Sequence, residues 1–299
     1  MIKKYKEIIK KLGKDGAKIN EPMAKHTTFK IGGPADLFYE ARTEEEIIRA
    51  IREVGVPYFI LGRGSNILVG DKGFRGMVIK MKNEKLKIKN DKEKIKILAD
   101  AGVLLANLVN FAAMNSVGGL EFLAGIPGTV GGAVRGNAGA WQQNIGDKVA
   151  RVKILTLEGQ IKWINQKDCQ FSYRKSRFKR NDEVILGIEF KLEKKDKKEI
   201  ERKINEILEK RKNQPKEPSA GCVFVNPKPL HAGVLIEQCG LKGKQIGGAK
   251  VSEKHANFIV NLGGAKAKDV VALISLIKAK VKERFGIELK EEIMKVGEF

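Results

Sequence analysis

The chain contains few of the residues that build metal sites or disulfide frameworks. Its 299 residues include only three cysteines and three histidines. The cysteines are Cys169, Cys222 and Cys239, and the histidines are His26, His231 and His255. An odd number of cysteines argues against a disulfide framework, and neither residue type shows metal-binding spacing. We therefore expect no metal site.

Long apolar runs are also missing. No stretch approaches the roughly 20 apolar residues that a membrane-spanning helix needs. The segment Met1-Ile-Lys-Lys-Tyr-Lys6 lacks the apolar part of a signal peptide. With 42% hydrophobic and 31% charged residues, the chain is typical of a soluble globular protein. Its length allows two or three packed domains. We expect a cytoplasmic protein without a membrane partner.

The net charge of +22 raises nucleic-acid binding as a non-enzymatic alternative. The lysines, however, are spread through 81–96, 191–216 and 278–290 and are mixed with glutamates. There is no arginine-rich tract, and aromatic residues do not alternate with basic ones as in a base-stacking surface. Lys/Glu-rich surfaces also occur in heat-adapted proteins. A solvated basic surface that favours anionic small molecules is the main interpretation, without a nucleic-acid partner.

Glycine, in contrast, is abundant in two loops. The stretch from Phe122 to Trp141 holds six glycines, one proline and no carboxylate. Glycine permits positive φ and the close approach of another group, although tight turns between strands are an alternative interpretation. A second loop, Gly62-Arg-Gly-Ser-Asn66, follows the apolar run 56–61. A strand that ends in a Gly-X-Gly turn presents backbone N–H groups suited to phosphate oxygens. Two such loops together predict a dinucleotide cofactor.

Strand and helix patterns alternate along the chain and predict an α+β fold with mixed sheets. Thr43 and Glu46 form a capping-box pattern, and Gly286 occupies the position of a helix-terminating glycine. The predicted strands are 35–41, 56–61, 77–81, 94–99, 151–156, 184–191 and 257–260. The predicted helices are 1–12, one after Thr43, 103–114, 197–212, a short one ending at Gly240, and 269–285. Their inward faces include Ile47, Ile48, Ile51 and Val54 in the second helix, and Ile200, Ile204, Ile207 and Leu208 in the fourth. The polar residues 82–93 predict a solvated turn region, and a polar loop is expected between strands 151–156 and 184–191.

Six motifs follow one another along the chain. They are Gly62-Arg-Gly-Ser-Asn66, Ile126-Pro-Gly-Thr-Val-Gly-Gly132, Asn137-Ala-Gly-Ala140, Tyr173-Arg-Lys-Ser176, Ser219-Ala-Gly221 with Asn226-Pro227, and Gln238-Cys-Gly-Leu-Lys-Gly243. Any one of them could arise by chance, but six in this order are specific. In these motifs the chain, from Thr27 to Glu292, resembles the UDP-N-acetylenolpyruvoylglucosamine reductase family.

The resemblance implies an FAD-binding fold of the p-cresol methylhydroxylase/vanillyl-alcohol oxidase type. This fold would comprise two α/β subdomains, 1–85 and 86–212, followed by a C-terminal α/β substrate-binding domain, 213–299. One subtype of the family carries an extra loop with a substrate-contacting tyrosine. This chain has no tyrosine after Tyr173. It resembles the shorter subtype, in which other residues must replace that tyrosine.

The resemblance also implies the reaction. NADPH would reduce noncovalently bound FAD, and the flavin N5 would pass the hydride to the enolpyruvyl group of a UDP-sugar. The product would be UDP-N-acetylmuramate, a peptidoglycan precursor, and the enzyme is expected to be a monomer. Another flavin oxidase or dehydrogenase on the same scaffold is the alternative enzyme.

Three residues match the catalytic positions of the family. Arg174 would bind the substrate carboxylate, and Glu292 would carry a proton and hydrogen-bond the intermediate. Cys222 stands where the family pattern has a serine that donates the proton; a thiol, with a reference pKa of about 8.5, can also act as an acid. The alternatives are a surface arginine, a solvated glutamate beside Glu291, and a small buried cysteine. The chain also has Met294 where arginine is frequent in the family, and Val225 where lysine is common.

The remaining site residues are carried over from the same motifs. The residues expected to hold FAD are Gly62, Arg63, Gly64, Ser65, Asn66, Pro127, Gly128, Thr129, Gly131, Gly132, Asn137 and Gly139. The residues expected to contact the substrate are Tyr173, Asn226, Gln238, Lys242 and Gly243.

Overall fold

The computed structural model describes residues 2–13, 15–91 and 94–299. Within them, helices are interspersed among strands of 2 to 11 residues. The helices are α1 (Ile2–Leu12), α2 (Glu44–Glu53), α3 (Leu105–Met114), α4 (Val130–Gly136), α5 (Lys197–Arg211), α6 (Ala232–Gln238) and α7 (Ala267–Phe285). The strands are β1 (Ala17–Pro22), β2 (Pro34–Ala41), β3 (Tyr58–Leu61), β4 (Ile67–Val69), β5 (Phe74–Met81), β6 (Leu86–Asp91), β7 (Lys94–Asp100), β8 (Val117–Gly118), β9 (Gly139–Ala140), β10 (Gln143–Asn144), β11 (Val149–Leu155), β12 (Ile161–Asn165), β13 (Val184–Lys194), β14 (Ser219–Cys222), β15 (Gln245–Ile246), β16 (Ala249–Val251), β17 (Phe258–Asn261) and β18 (Met294–Val296).

Most predicted elements are present, with shifted ends. Thr43 caps α2, since its side chain accepts a hydrogen bond from the Glu46 N–H at 3.1 Å. The Glu46 carboxylate accepts from the Arg42 N–H at 2.6 Å, one residue before the cap. At the other end of the chain, α7 stops at Gly286, which has the left-handed φ of 68° that favours glycine. The predicted helix start at Thr43 and the predicted helix end at Gly286 are therefore confirmed.

Two predicted polar loops are wrong because strand pairing overrides composition. Residues 86–91 form β6, which pairs antiparallel with β7. Leu86 and Ile88 are half-buried and alternate with exposed lysines, which is the pattern of a strand with one solvated face. Lys92 and Glu93, the end of the predicted turn region, lie outside the described residues. The expected loop after β11 contains β12, which pairs antiparallel with β11 and lies at the edge of the sheet.

The inward face of α5 is narrower than expected. Ile200 and Ile207 are buried, Ile204 is half-buried, and Leu208 is 43% exposed. Similarly, Ile47 and Val54 are buried at α2, whereas Ile48 and Ile51 are half-buried. The prediction that Leu208 faces inward is wrong, because only a narrow stripe of α5, which includes Ile200 and Ile207, is buried against the rest of the protein.

The chain divides into two compact units, each described here by itself. The first comprises residues 1–17, 39–63 and 79–211, and the second comprises 18–38, 64–78 and 212–299. The three sequence-based domain ranges stay a prediction.

A large antiparallel sheet forms the centre of the first unit. Its order is β12-β11-β13-β7-β6, and β8 also pairs with β13. The run from Val184 to Phe190 is buried throughout. This buried run, apolar except for Glu189, suits the central strand β13, which pairs with β11 and β7. Helix α4 packs against both β13 and β7, which fixes the glycine-rich stretch on the sheet.

The second unit is built around α7. A sheet with the order β14-β17-β16-β15 and the parallel pair β18-β4 belong to this unit. The buried side of α7 carries Ala267, Val270, Leu273, Ile274, Ile277 and Val281. Their helical spacing places them in one apolar core with Phe29, Leu68 and Phe224. No helix among the described residues is both long and apolar enough to cross a membrane.

Candidate functional site

The two predicted cofactor loops meet in the first unit at Gly62. A Cβ added there would lie 2.4 Å from Thr129 Oγ1. The same hydroxyl caps α4 by accepting a hydrogen bond from the Gly132 N–H at 3.3 Å. Any larger residue at position 62 would therefore displace the α4 cap. The close approach explains this glycine by packing and holds the Gly62 turn beside the glycine-rich stretch.

Two glycines of α4 are not required by packing. A Cβ at Gly131 would lie 2.7 Å from Ala101 Cβ, so that residue must be small. A Cβ added at Gly132 would lie at an ordinary contact distance of 3.4 Å from Thr129 Oγ1. A Cβ added at Gly136 would have no described atom within 4 Å outside the neighbouring residues and the helix backbone. Glycine inside a helix is about 1 kcal/mol less favourable than alanine. An exposed backbone without side chains is what a large flat cofactor needs for close contact, so this part of the chain fits FAD.

Asn137 links the glycine-rich stretch to the loop that carries Arg174. Its side chain is 2% exposed, and its φ of 44° is left-handed. The amide accepts a hydrogen bond from the Gly146 N–H at 3.0 Å and donates one to the Ser172 carbonyl at 2.8 Å. Asn137 therefore acts here as an internal support between two predicted site loops.

Arg174 lies at the tip of a tight turn. Ser172 and Lys175 exchange backbone hydrogen bonds of 3.0 Å in both directions, leaving Tyr173 and Arg174 between them. The φ of Arg174 is 56°, a strained value for a residue with a Cβ, and such strain is often found at functional sites. Its Nη1 donates to the Gly139 carbonyl at 3.1 Å. The turn thus brings Arg174 and Gly139 together in the first unit.

Cys222 and Glu292 belong to neighbouring chain segments of the second unit. Cys222 ends β14 and is paired with Phe258 of β17. The next residue, Val223, accepts a hydrogen bond from the Glu292 N–H through its carbonyl at 2.7 Å. Gly221, before the cysteine, has a φ of 75° that only glycine adopts easily. Both Cys222 and Glu292 are half-buried. The segments that carry these two predicted residues are far apart in the sequence, and a backbone hydrogen bond joins them one residue after Cys222.

Glu291 has a different environment from Glu292. Its carboxylate pairs with Lys295 Nζ at 2.9 Å and Lys278 Nζ at 3.4 Å. Glu291 is therefore a member of two ion pairs. The assignment of Glu292 as the functional residue stays a prediction.

Asn257 is a supporting residue that the sequence reasoning missed. Its buried amide accepts from the Phe224 N–H at 2.9 Å and donates to the Phe224 carbonyl at 2.8 Å. Burial lowers the pKa of the neighbouring His255, whose Nδ1 accepts from the Asn257 N–H at 3.2 Å. Asn257 thereby fixes the backbone that follows Cys222. A polar residue beside an apolar strand was the available signal.

The remaining substrate candidates of the second unit lie around α6. The Asn226 side chain accepts from the Ala232 N–H at 3.0 Å, at the start of this helix. Gln238 ends α6, and its carbonyl accepts a hydrogen bond from Arg284. Lys242 Nζ pairs with Glu237 at 2.6 Å, and Gly243 has a φ of 75°. Tyr173 belongs to the first unit, with its ring 5.6 Å from the Arg174 guanidinium carbon.

Cys169 is expected to be chemically inert in the folded protein. It is fully buried, and burial raises its pKa to about 12. At that pKa, neutral solution leaves roughly 10³-fold less thiolate than for an ordinary thiol. Iodoacetamide should therefore leave Cys169 unmodified until the protein is unfolded in urea, as measured by peptide mass spectrometry. Labelling of Cys169 and Cys222 at equal rates in the folded protein would contradict this expectation.

Across residues 2–13, 15–91 and 94–299, no group of three or more His, Cys, Asp or Glu residues could hold a metal ion.

Comparisons with known proteins agree with this arrangement. A model of the FAD binding domain matches residues 35–165, and a model of the UDP-N-acetylenolpyruvoylglucosamine reductase C-terminal domain matches residues 214–296. The α+β class and the FAD-binding fold followed by a C-terminal domain are thereby confirmed.

Full-length relatives carry the same description. UDP-N-acetylenolpyruvoylglucosamine reductase of Caldanaerobacter subterraneus subsp. tengcongensis is 44% identical over 100% of this chain and 98% of its own length. The protein of that name from Carboxydothermus hydrogenoformans is 47% identical over 93% of each chain. The crystal structure of UDP-N-acetylenolpyruvylglucosamine reductase from Thermus caldophilus aligns with a TM-score of 0.81 at 37% identity, over 94% of this chain and 98% of the other. Since sequence, fold and motif order agree over the whole length, this chain belongs to the UDP-N-acetylenolpyruvoylglucosamine reductase family.

Proposed function

We propose that the chain uses NADPH and noncovalently bound FAD to reduce the enolpyruvyl group of UDP-N-acetylglucosamine enolpyruvate, forming UDP-N-acetylmuramate for peptidoglycan. The names of its relatives support this substrate. The observation that carries the proposal is the 2.7 Å hydrogen bond that joins Glu292 to Val223, beside Cys222. It holds a carboxyl group and a thiol in adjacent segments, as a reaction with one stabilised anion and one proton transfer requires.

FAD is assigned to two glycine-rich segments, the Gly62–Asn66 loop and the stretch from Phe122 to Trp141. When bound, FAD supplies the hydride that it takes from NADPH. The Gly62–Asn66 loop suits the pyrophosphate, because its backbone can approach phosphate oxygens closely. The glycine backbone of α4, at the exposed Gly132 and the half-buried Gly136, suits a flat ring system.

Arg174 and Glu292 are assigned to the negative charge that develops on the substrate. A guanidinium is always charged and can donate two parallel hydrogen bonds to a carboxylate, so Arg174 suits the enolate as well as the substrate. Glu292, when it carries its proton, donates to the same charge. Such fixed donors stabilise the transition state more than the ground state.

Cys222 is assigned to the proton transfer. After hydride addition to the vinyl carbon, the neighbouring carbon must gain a proton. The thiol would donate it and become a thiolate, which then regains a proton from solvent. A thiol can replace the serine of the family pattern because it is more acidic than an alcohol.

The purified protein should be yellow and should oxidise NADPH when the enolpyruvyl nucleotide sugar is present. A visible absorption spectrum and a steady-state NADPH assay test this directly. Turnover of a small alcohol with oxygen, and none with the nucleotide sugar, would point to another flavin oxidase or dehydrogenase. Colourless protein that binds DNA or RNA with strong salt dependence would instead indicate the nucleic-acid alternative.

The location and assembly of the protein are part of the same proposal. Its substrates are soluble nucleotides, which agrees with a cytoplasmic monomer that has neither a membrane nor a nucleic-acid partner. The contribution to cell shape and division would follow from the supply of the cell-wall precursor.

A further inference from the structure

We propose that Asn66 is a positioning residue that couples the cofactor loop to Glu292, an inference that rests on the proposed function. The Asn66 Nδ2 donates a hydrogen bond to the Glu292 carbonyl at 3.2 Å. The Asn66 carbonyl accepts from the Met294 N–H at 3.0 Å. The last residue of the Gly62–Asn66 loop therefore holds both peptide groups that follow the Glu292 side chain.

The backbone of Glu292 is fixed from two sides. Its N–H donates to the Val223 carbonyl at 2.7 Å, next to Cys222, and its carbonyl accepts from Asn66. Immediately afterwards β18 pairs in parallel with β4, placing Met294 opposite Ile67. Because backbone position sets where a side chain points, loss of the Asn66 side-chain bond loosens the backbone that carries the Glu292 carboxyl. A displacement of about 1 Å at a catalytic group can reduce the rate 10²-fold.

A second link connects the same loop to the Cys222 strand. The Thr28 hydroxyl donates to the Ser219 carbonyl at 2.7 Å, and the Thr28 N–H donates to the Gly64 carbonyl at 3.1 Å. Ser219 begins β14, which ends at Cys222. The loop is thus joined to both proton-carrying segments within the second unit. A cofactor that immobilises this loop would also immobilise the segments that carry Cys222 and Glu292.

A coupling role predicts a different result from a cofactor contact or a purely structural role. If the Asn66 side chain only bound FAD, its loss would weaken FAD and slow flavin reduction. If it only stabilised the fold, it would lower the melting temperature without changing the ratio of the two half-reactions. If it also positions Glu292, substrate reduction slows much more than flavin reduction by NADPH.

Asn66→Asp is the most direct variant, because it keeps the size of the side chain and removes the N–H donor. With FAD added to saturation, we expect substrate reduction to slow by roughly 10–10²-fold relative to flavin reduction by NADPH, both measured by stopped-flow absorbance. Asn66→Ala removes the donor without adding a charge and should show the same ratio. It also provides the test if the aspartate variant does not fold.

Asn83→Asp is the matched control. Asn83 is buried, donates to the Leu186 carbonyl at 3.3 Å and accepts from the Gly102 N–H at 3.2 Å, in the first unit. The control variant should lower the melting temperature but leave the ratio of the two half-reactions unchanged. A control with the same selective loss as Asn66→Asp would show that the loss reflects general destabilisation, and the proposal would be wrong.

Hydrogen exchange separates this inference from the proposed function. In the parent protein, added FAD should slow exchange of the peptide containing 290–296, and this protection should be lost in Asn66→Asp although FAD still binds. The readout needs no substrate, so it remains decisive even if the enolpyruvyl sugar is not turned over. Equal FAD-induced protection in parent and variant would overturn the coupling, as would equal slowing of both half-reactions.

Discussion

Alanine at Arg174 or at Glu292 should leave FAD bound and reducible by NADPH, yet slow reduction of the enolpyruvyl substrate by roughly 10²–10³-fold. The reason is that both side chains are assigned to the enolpyruvyl substrate and to the negative charge that grows on it during hydride addition. Neither is assigned a role in the transfer from NADPH to FAD. Stopped-flow absorbance of the flavin, with NADPH and substrate added in separate steps, measures the two half-reactions independently.

The chain offers a matched control for each variant. Glu291 neighbours Glu292 but is paired with Lys278 and Lys295, so Glu291→Ala should change neither half-reaction by more than a few-fold. Arg177 lies three residues from Arg174 and forms two hydrogen bonds to Glu183, at 2.6 and 3.0 Å. Arg177→Ala should therefore affect stability more than the reaction. If the Arg174 and Glu292 variants slow both half-reactions equally, their assignment to substrate charge is incorrect.

The sequence predicted those parts of the fold whose signals are local. Thr43 caps α2 and Gly286 ends α7, because a cap and a left-handed glycine depend on a few neighbouring residues. The strand at Leu86–Asp91 was missed because its lysines resemble a solvated loop when pairing with β7 is unknown. Long-range pairing decided that segment, and no local pattern contains it.

The candidate site shows the same division between local and distant information. The motifs identify Cys222, Glu292 and Arg174 as candidates, but they do not show which contacts position each of these residues. The hydrogen bond between Asn66 and Glu292 joins residues 226 positions apart, and Asn257 holds Phe224, which lies 33 positions earlier in the chain. In these contacts a side chain bonds a backbone carbonyl. Because every residue has such a carbonyl, the sequence does not show which one accepts the bond. They became visible only when the segments were placed next to each other.

Replacing Cys222 by alanine should leave flavin reduction by NADPH intact and slow substrate reduction by roughly 10²–10⁴-fold, the usual contribution of a general acid. Cys222→Ser should retain substantial activity, because the family pattern has a hydroxyl at this position. Comparing the two variants separates proton donation from packing, since serine and cysteine are similar in size and both can donate a proton. Single-turnover reoxidation of the reduced flavin by substrate provides the measurement.

Thiol chemistry tests the same assignment from another direction. Alkylation of Cys222 should inactivate the enzyme, and bound substrate should slow that inactivation, because the thiol would face the enolpyruvyl group. Cys239→Ser is the control: burial raises the pKa of Cys239, whose Sγ lies 3.6 Å from the Lys280 carbonyl, and its loss should not change the inactivation rate. Peptide mass spectrometry identifies the modified cysteine. If Cys222→Ala reduces substrate at the parent rate, the thiol only fills space, and the proton comes from another group or from water.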